Sequence, residues 1–481
     1  MRVKDTVSSE KAKTRVYFLA PEDVKALGKL PMGNFIAKLV QEEKDCTKAG
    51  KIISAFYQQQ GEIKKLVIAG TGSLGEAGAT QLRKLAGTVA RKLAVEQSGG
   101  KADVLTSFVL TPEYLTALAE GLALGSYSFR ECKTTHDAPK PCDFTIVTSL
   151  DKATQLVKEA EILTRNICLV RDWVNRPSNL LYPEILANIA QAFAKELKLS
   201  CEVLTRKDME KKKMGAILAV GQGSKHEPRM ITLKYEGAGK DKPYIAFVGK
   251  GVCFDSGGIS LKPSQGMGEM KDDMGGAGAA LGAVKTIAEL KLPVNVMAVA
   301  GCVENMPSGS SYKPGDVITS ASGKTIEVAN TDAEGRIVLA DAVWYACEKG
   351  AAKVIDLATL TGACLIALGM ETAGVITNDK EFSDQVIAAG KKAGENYWLL
   401  PSLPEIRKKL RAKTGDVLNE TGRWGGTISA GLFIEEFVKP HTPWVHLDIA
   451  GPAFAEKATG FWIKGGTGFG VATLVALAKE L

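Results

Sequence analysis

Three short stretches of this sequence gather residue types that can hold cations and activate water. One reads Lys250-Gly251-Val252-Cys253-Phe254-Asp255-Ser256-Gly257-Gly258 and continues to Lys262-Pro263. A second reads Met270-Lys271-Asp272-Asp273-Met274-Gly275-Gly276, and a third reads Asn330-Thr331-Asp332-Ala333-Glu334-Gly335-Arg336. Glycines let a backbone turn sharply and approach a ligand closely. Acidic residues at helix starts also answer the helix dipole, so each stretch alone has an ordinary explanation. Together they say more. Asp255, Asp273 (with Asp272 beside it), Asp332 and Glu334 all fall at strand or helix ends, where working residues collect in open α/β sheets. Four carboxylates in one partly buried site repel one another unless cations neutralise them, and two divalent ions balance the charge. Oxygen ligation without histidine suits Mn²⁺ or Mg²⁺ and accepts Zn²⁺. Paired ions ~3.5–4 Å apart bring a shared water to a pKa of ~7, which makes it a nucleophile at neutral pH. Beside such charge Lys250 gives up its proton readily, and the neutral amine becomes a further ligand. Chemistry alone does not choose between Asp272 and Asp273.

Other patterns that could carry chemistry read as structure. Gly70-Thr71-Gly72-Ser73-Leu74-Gly75 fits a dinucleotide fingerprint, but the ribose-binding acid expected ~20 residues on should end a second strand. Its candidate, Glu96, sits in a helical stretch, so the glycines make a tight strand-to-helix turn. Ser322-Gly323-Lys324-Thr325 resembles the end of a phosphate loop but has Ile318 where the pattern needs glycine; it reads as a hairpin turn. The four histidines are His136, His226, His441 and His446, with no H-E-x-x-H among them, which excludes the zinc proteases ligated that way. His446 and Asp448 share one face of an apolar strand and could bind a metal, but His446 reads instead as a hydrogen-bonded strand histidine. No G-x-S-x-G supports a serine hydrolase.

These residues need a scaffold, and 481 residues are too many for one ordinary domain. Up to about residue 150, strands at Lys65–Ala69 and Asp103–Leu110 alternate with helices at Gly75–Val95 and Pro112–Gly125. Beyond it, near-continuous apolar strands at Tyr244–Gly249, Val294–Ala300, Lys353–Ala358, Ala373–Thr377 and Val445–Ala450 alternate with helices. Those helices are expected at Asp273–Leu290, Glu334–Glu348, Ser383–Ala393, Ile428–Val438 and Val471–Leu481. The fold class is therefore α/β with two domains: an N-terminal α/β domain over 1–150 and a larger C-terminal α/β catalytic domain over 175–481. The latter has a mainly parallel central sheet covered on both faces, and 151–174 forms a helical connector. Apolar residues make up 45% of the chain and charged residues 24%, values of a globular enzyme. The net charge of +7 is spread along the chain, unlike the concentrated face of a nucleic-acid binder. The nine cysteines form no C-x-x-C and are odd in number, which points to a reducing, cytoplasmic setting. Met1–Ala20 has no apolar stretch of the kind a secretory signal needs, and no apolar run reaches the ~20 residues of a membrane span.

The third stretch resembles the signature of the leucine aminopeptidase (cytosol aminopeptidase) family. Val248-Gly249-Lys250-Gly251, Phe254-Asp255-Ser256-Gly257-Gly258, Lys262-Pro263 and Asp273-Met274-Gly275-Gly276 are similar to it too. Order and spacing agree across 175–481, including Asp356–Gly362 and Trp444–Gly451, whereas the first 150 residues match in general character only. The resemblance implies a metallopeptidase that removes the N-terminal residue, preferably leucine-like, from peptides through a water bridging two metal ions. It implies one metal on Asp255, Asp332 and Glu334 and a second on Lys250, Asp255, Asp273 and Glu334, with Asp273 taken over Asp272. The ions would be Mn²⁺ or Zn²⁺, two per subunit. Lys262 would stabilise the oxyanion, and Arg336 would hold a bicarbonate that relays a proton. Met270, Thr359, Leu360, Gly362 and Ala450 would line the first-residue pocket. A homohexamer, with the catalytic domains facing its interior, is implied as well.

Two departures stand out. Cys253 replaces a common threonine, which would set a thiol near the metals and make activity sensitive to oxidants, and Ile337 replaces a frequent leucine. Two other readings compete. One is a nicotinamide-dependent oxidoreductase using Gly70–Gly75, tested by dinucleotide titration. The other is a DNA- or partner-binding protein with secondary peptidase activity, in which binding would survive Glu334→Ala.

Overall fold

The computed structural model describes residues 1–6, 12–23, 27, 30–43, 45–75, 78–96, 98–135 and 138–481. His136 and positions 76–77 of the expected helix Gly75–Val95 lie outside the described residues. Two compact units form the chain: Met1–Cys168 with Lys457–Lys464, and Leu169–Glu456 with Gly465–Leu481. The expected connector over 151–174 is the helix Ala153–Asn175, and the division falls within it, between Cys168 and Leu169, rather than at either end. The expected catalytic stretch 175–481 is interrupted, because Lys457–Lys464 returns to the first unit. There Arg91 Nη1 donates to Gly460 O at 2.6 Å, and a β-carbon on Gly87 would lie 2.5 Å from Phe461 Cα. An eight-residue excursion of this kind has no periodicity that a sequence pattern would register.

In the first unit β1 (Arg2–Lys4), β2 (Thr14–Leu19), β3 (Ile52–Gln59), β4 (Glu62–Gly70), β5 (Gly100–Thr106) and β6 (Cys142–Val147) form a sheet in the order β1-β6-β5-β2-β4-β3. All neighbours are parallel except β3 and β4. Every residue of β2 is buried, and each such Val, Phe or Leu contributes roughly 1.5–3 kcal/mol. Gly70 ends β4, where a β-carbon would sit 2.4 Å from Lys48 O, and residues 71–75 leave the strand as irregular backbone. Glu96, the acid a dinucleotide site would need, is ion-paired with Lys65.

The second unit carries the larger sheet. Its strands are β7 (Ser200–Leu204), β8 (Arg229–Glu236), β9 (Tyr244–Asp255), β10 (Asn295–Asn305), β13 (Ala351–Ala358), β14 (Thr372–Thr377), β15 (Asn396–Leu399) and β17 (Trp444–Asp448). Their order is β15-β14-β17-β13-β9-β10-β8-β7. A small sheet of β11 (Val317–Thr319), β12 (Thr325–Glu327) and β16 (Val417–Leu418) stands beside it. The Ser322–Thr325 motif is the turn joining β11 to β12, with Gly323 at φ +88°. In the large sheet the central strands β17, β13, β9 and β10 are mutually parallel, so their carboxyl ends share one edge. Helix Gly275–Leu290 covers one face: a β-carbon on Gly249 would meet Ala277 Cα at 2.4 Å. Helix Glu334–Glu348 covers the other, where a β-carbon on Gly301 would meet Val338 Cγ1 at 2.7 Å. This is the α/β architecture with a mainly parallel sheet that the sequence pattern implied.

One strand differs from expectation in a way that matters. β9 does not end at Gly249 but runs six residues further, to Asp255, paired with β10 throughout. The glycines at 249 and 251 read as a stop, yet they are there because neighbours crowd them; a β-carbon on Gly251 would lie 2.7 Å from Gly301 O. Between Val252 and Phe254 the register slips, so that Val303 faces Val252 and Glu304 faces Phe254. Cys253 is the extra residue of a β-bulge, which shifts the alternation by one. Lys250 and Asp255 would otherwise point to opposite faces of the sheet. The bulge brings them to the same side.

Candidate metal centre

Lys250 and Asp255 come from β9, Asp273 from the turn that precedes helix Gly275–Leu290, and Glu334 is the first residue of helix Glu334–Glu348. Asp273 and Glu334 thus sit at positive helix ends. Among the described residues, Asp255, Asp273 and Glu334 form a buried group whose ligand oxygens all lie within 4.8 Å of one another. Lys250 Nζ lies 2.7 Å from Asp273 Oδ1 and 2.9 Å from Glu334 Oε1, and donates to Thr359 O at 2.8 Å. The lysine chain passes so near the helix start that a β-carbon on Gly335 would be 2.4 Å from Lys250 Cε. Asp332 joins through Lys262, whose ammonium is 2.6 Å from Asp332 Oδ1 and 2.8 Å from Asp255 Oδ2. Asp272 lies outside this group.

The charges explain one another. Burial pushes the Asp273 carboxyl far above the ordinary range; Lys250 pulls it down, and Glu334 and Asp255 push it further up. Glu334 is raised by burial and then by Asp255. Burial alone would depress the Lys250 ammonium, but Asp273, Glu334 and Asp255 outweigh it and hold the group above its usual value. With carboxylates as its partners Lys250 is thus an ammonium, and a divalent cation among them reverses that balance. The donors fit such a cation. Asp273 Oδ2 and Glu334 Oε2 are buried carboxylate oxygens without a hydrogen-bond partner, a costly arrangement unless a cation is ligated there.

Residues that the sequence reading passed over hold the group in place. Asn305, at the end of β10, donates from Nδ2 to Asp255 Oδ1 at 2.8 Å and to Thr331 O at 3.0 Å. Thr331 Oγ1 donates to Gly257 O at 2.6 Å and accepts from Ser260 N at 2.8 Å, clasping the two acidic loops together. Asn419 Nδ2 donates to Asn330 O at 2.6 Å, while Asn419 O accepts Arg336 Nη1 at 2.8 Å. No spacing marks Asn305 or Asn419, and nothing in the third stretch marks Thr331 as a clasp, because their partners lie far away in sequence. Arg336 is buried and its Nε has no partner; burial lowers its pKa against the pull of Glu334, Glu420 and Asp448.

The expected pocket residues fall around the same strand ends. Thr359 Oγ1 donates to Asp273 Oδ1 at 2.8 Å. Asp448 Oδ1 accepts the amides of Leu360 and Ala450, both at 3.2 Å, tying two strand-end loops together. Met270 lies in the turn Met267–Asp272, and Gly362 opens the helix Gly362–Leu368. His446 is a hydrogen-bonded strand histidine, with Nδ1 2.6 Å from Asp356 Oδ1; Trp444 Nε1 donates to Asp356 Oδ2 at 2.7 Å.

Cys253 corrects one expectation. Its thiol is buried, with Sγ 3.6 Å from Gly251 O, and burial pushes its pKa well above the ordinary value. A thiol rather than a thiolate reacts slowly with peroxide. In the folded protein the exposed Cys132 should oxidise at least about tenfold faster than Cys253; peptide mass spectrometry after brief peroxide treatment measures both, and equal rates would restore the reactive reading.

Comparison with known proteins bears on the whole chain. Residues 168–475 match the profile of the cytosol aminopeptidase family, catalytic domain, and residues 20–136 match that family's N-terminal domain. A probable cytosol aminopeptidase from Alkaliphilus metalliredigens is 40% identical over 478 residues, covering 96% of this chain and 95% of its own. One from Aquifex aeolicus is 39% identical over 475 residues, covering 98% and 96%. Among solved structures, a mutant of tomato leucine aminopeptidase aligns with a TM-score of 0.89 at 30% identity, over 100% of this chain and 96% of its own. The bottromycin maturation enzyme BotP in complex with Mn aligns with a TM-score of 0.85 at 31% identity, over 98% and 99%.

Proposed function

This chain belongs to the cytosol aminopeptidase family and is a metal-dependent aminopeptidase, and on that premise we propose how its residues divide the work. The observation that carries the reading is the buried trio of Asp255, Asp273 and Glu334 around Lys250, with two carboxylate oxygens unpaired. One divalent ion would rest on Asp255, Asp332 and Glu334, the other on Lys250, Asp255, Asp273 and Glu334. Mn²⁺ and Zn²⁺ both suit these donors; a solved relative is described in complex with Mn. Two such ions would supply Lewis acidity and a water acidic enough to attack at neutral pH.

The chain's own groups do the rest. A peptide's free α-amine docks beside Asp273, which limits cleavage to the first peptide bond. The Lys262 ammonium donates to the carbonyl oxygen as negative charge develops on it. Asp255, Glu334 and Asp273 hold the ammonium above its usual pKa against the opposing effect of burial, so it remains a donor at neutral pH. Arg336, whose buried Nε has no partner, would hold a bicarbonate, and that anion would supply a general base there. Met270, Thr359, Leu360, Gly362 and Ala450 shape a mostly apolar first-residue pocket. A homohexamer with cytoplasmic location completes the proposal, supported by the family likeness. No helix of the described residues is long and apolar enough to cross a membrane.

The pocket assignment has a direct test. Leucine amide should exceed glycine amide in kcat/KM by about 10–100-fold, the worth of burying a leucine side chain. Equal values would show that these residues do not select the side chain.

A further inference from the structure

The two strands that carry the metal centre also wall a second cavity. It has a volume of about 600 Å³ and is lined by Ser178, Asn179, Tyr182, Ser224, Lys225, His226, Phe254, Glu304 and Met306, among others. Alternation along the strands explains its place. Asp255 and Asn305 are register partners that meet at the metal centre, whereas their predecessors Phe254 and Glu304 are partners that line this cavity. Successive residues of a strand point to opposite faces, so the two sites stand back to back on one pair of strand ends.

The lining has a definite chemistry. Glu304 is buried, yet its carboxylate opens on the cavity and is held by Ser224 Oγ, which donates to Oε2 at 2.5 Å. Ser224 also accepts the amide of His226 at 2.9 Å, fixing the turn. A carboxylate has about four acceptor positions, so Glu304 has room for a ligand's ammonium. Lys225, which is exposed, and His226, which is half-buried, also line the cavity, and both side chains can donate to an anion. The lining also has apolar and aromatic surfaces: Phe254, Met306 and Tyr182, whose ring lies 3.9 Å from that of His226, centroid to centroid. A carboxylate, an exposed cation and aromatic surfaces lining one cavity together fit a small zwitterion with an apolar side chain.

We propose that this cavity is a second binding site for a free apolar amino acid, with its ammonium on Glu304, its carboxylate near Lys225 and His226, and its side chain against Tyr182 and Phe254. Free amino acids of this kind are what an aminopeptidase releases, so the ligand class rests on the established activity while the site is separate from the catalytic one.

The experiment uses the full, metal-loaded protein with its metal centre saturated by leucine hydroxamate, and titrates L-phenylalanine calorimetrically. One further molecule should bind per chain, and Glu304→Gln should weaken it at least about tenfold, the effect of losing a charge-assisted hydrogen bond. Tyr182→Ala should weaken it as well. Tyr182 caps helix Pro183–Leu197 without a side-chain bond, so its truncation leaves the helix start intact. Phenylalanine amide, which lacks the carboxylate, should bind more weakly than the acid. No saturable binding up to about 10 mM, where even millimolar affinity is visible, would overturn the proposal; so would binding that neither substitution alters.

Discussion

Protein stripped with a chelator is expected to lose hydrolysis of leucine amide by at least about 10³-fold, because metal ions supply several kcal/mol of charge stabilisation and each ~1.4 kcal/mol is a factor of ten. Mn²⁺ should restore the rate, with Zn²⁺, Co²⁺ and Mg²⁺ as comparisons, and recovery should saturate at two ions per chain. The reason is local. Asp255, Asp273 and Glu334 are gathered within 4.8 Å, and Asp332 adds a fourth carboxylate across Lys262. Lys250 and Lys262 offset only part of that charge when both are ammonium ions. A second readout is independent of turnover: cations that bind the folded chain and not the unfolded one raise its melting temperature, by an amount that grows with their concentration. Full activity in metal-free protein, or saturation at one ion, would end the two-ion assignment.

Lys262→Ala should lower kcat by roughly 10²–10³, the cost of losing one oxyanion donor, with KM little changed and metal content no lower than in the parent. The last point separates two roles. Lys262 lies between Asp255 and Asp332 at 2.8 and 2.6 Å, so a purely structural lysine would, when removed, let those loops drift and lose the ions. A lysine that acts on the substrate leaves the carboxylates freer for cations and removes only its own contribution to the transition state. Loss of activity together with loss of metal would favour the structural role, and activity within a few-fold of the parent would exclude both.

The scaffold was legible where one periodicity ran long. Pro112–Gly125 and Glu334–Glu348 were expected at the bounds they occupy, because each begins at a recognisable signal, a proline in the first turn or a glutamate at the dipole's positive end. The acidic stretches were legible as chemistry because carboxylates crowded between glycines are hard to explain otherwise. The true length of β9 was hidden: glycine is read as a breaker, yet Gly249 and Gly251 are small because a helix backbone and β10 press on them. Asn305, Thr331 and Asn419 were hidden for a different reason. Uncharged amides and hydroxyls are common everywhere, and only the fold shows that these three are tied to the acidic loops. Composition and chemistry could not tell Asp272 from Asp273, since neighbours in sequence share both and differ in direction; the resemblance chose Asp273, and the buried group contains that residue.

The return of Lys457–Lys464 to the first unit makes neither half a continuous piece of chain. A truncation at the middle of helix Ala153–Asn175 would leave the larger fragment carrying an eight-residue tab whose Phe461 has lost the Gly87 surface it packs on, while the smaller fragment would lack that cover. Anyone dissecting the protein must therefore excise the tab as well as cut the helix, and the first unit cannot be complete until the ribosome has passed residues 457–464.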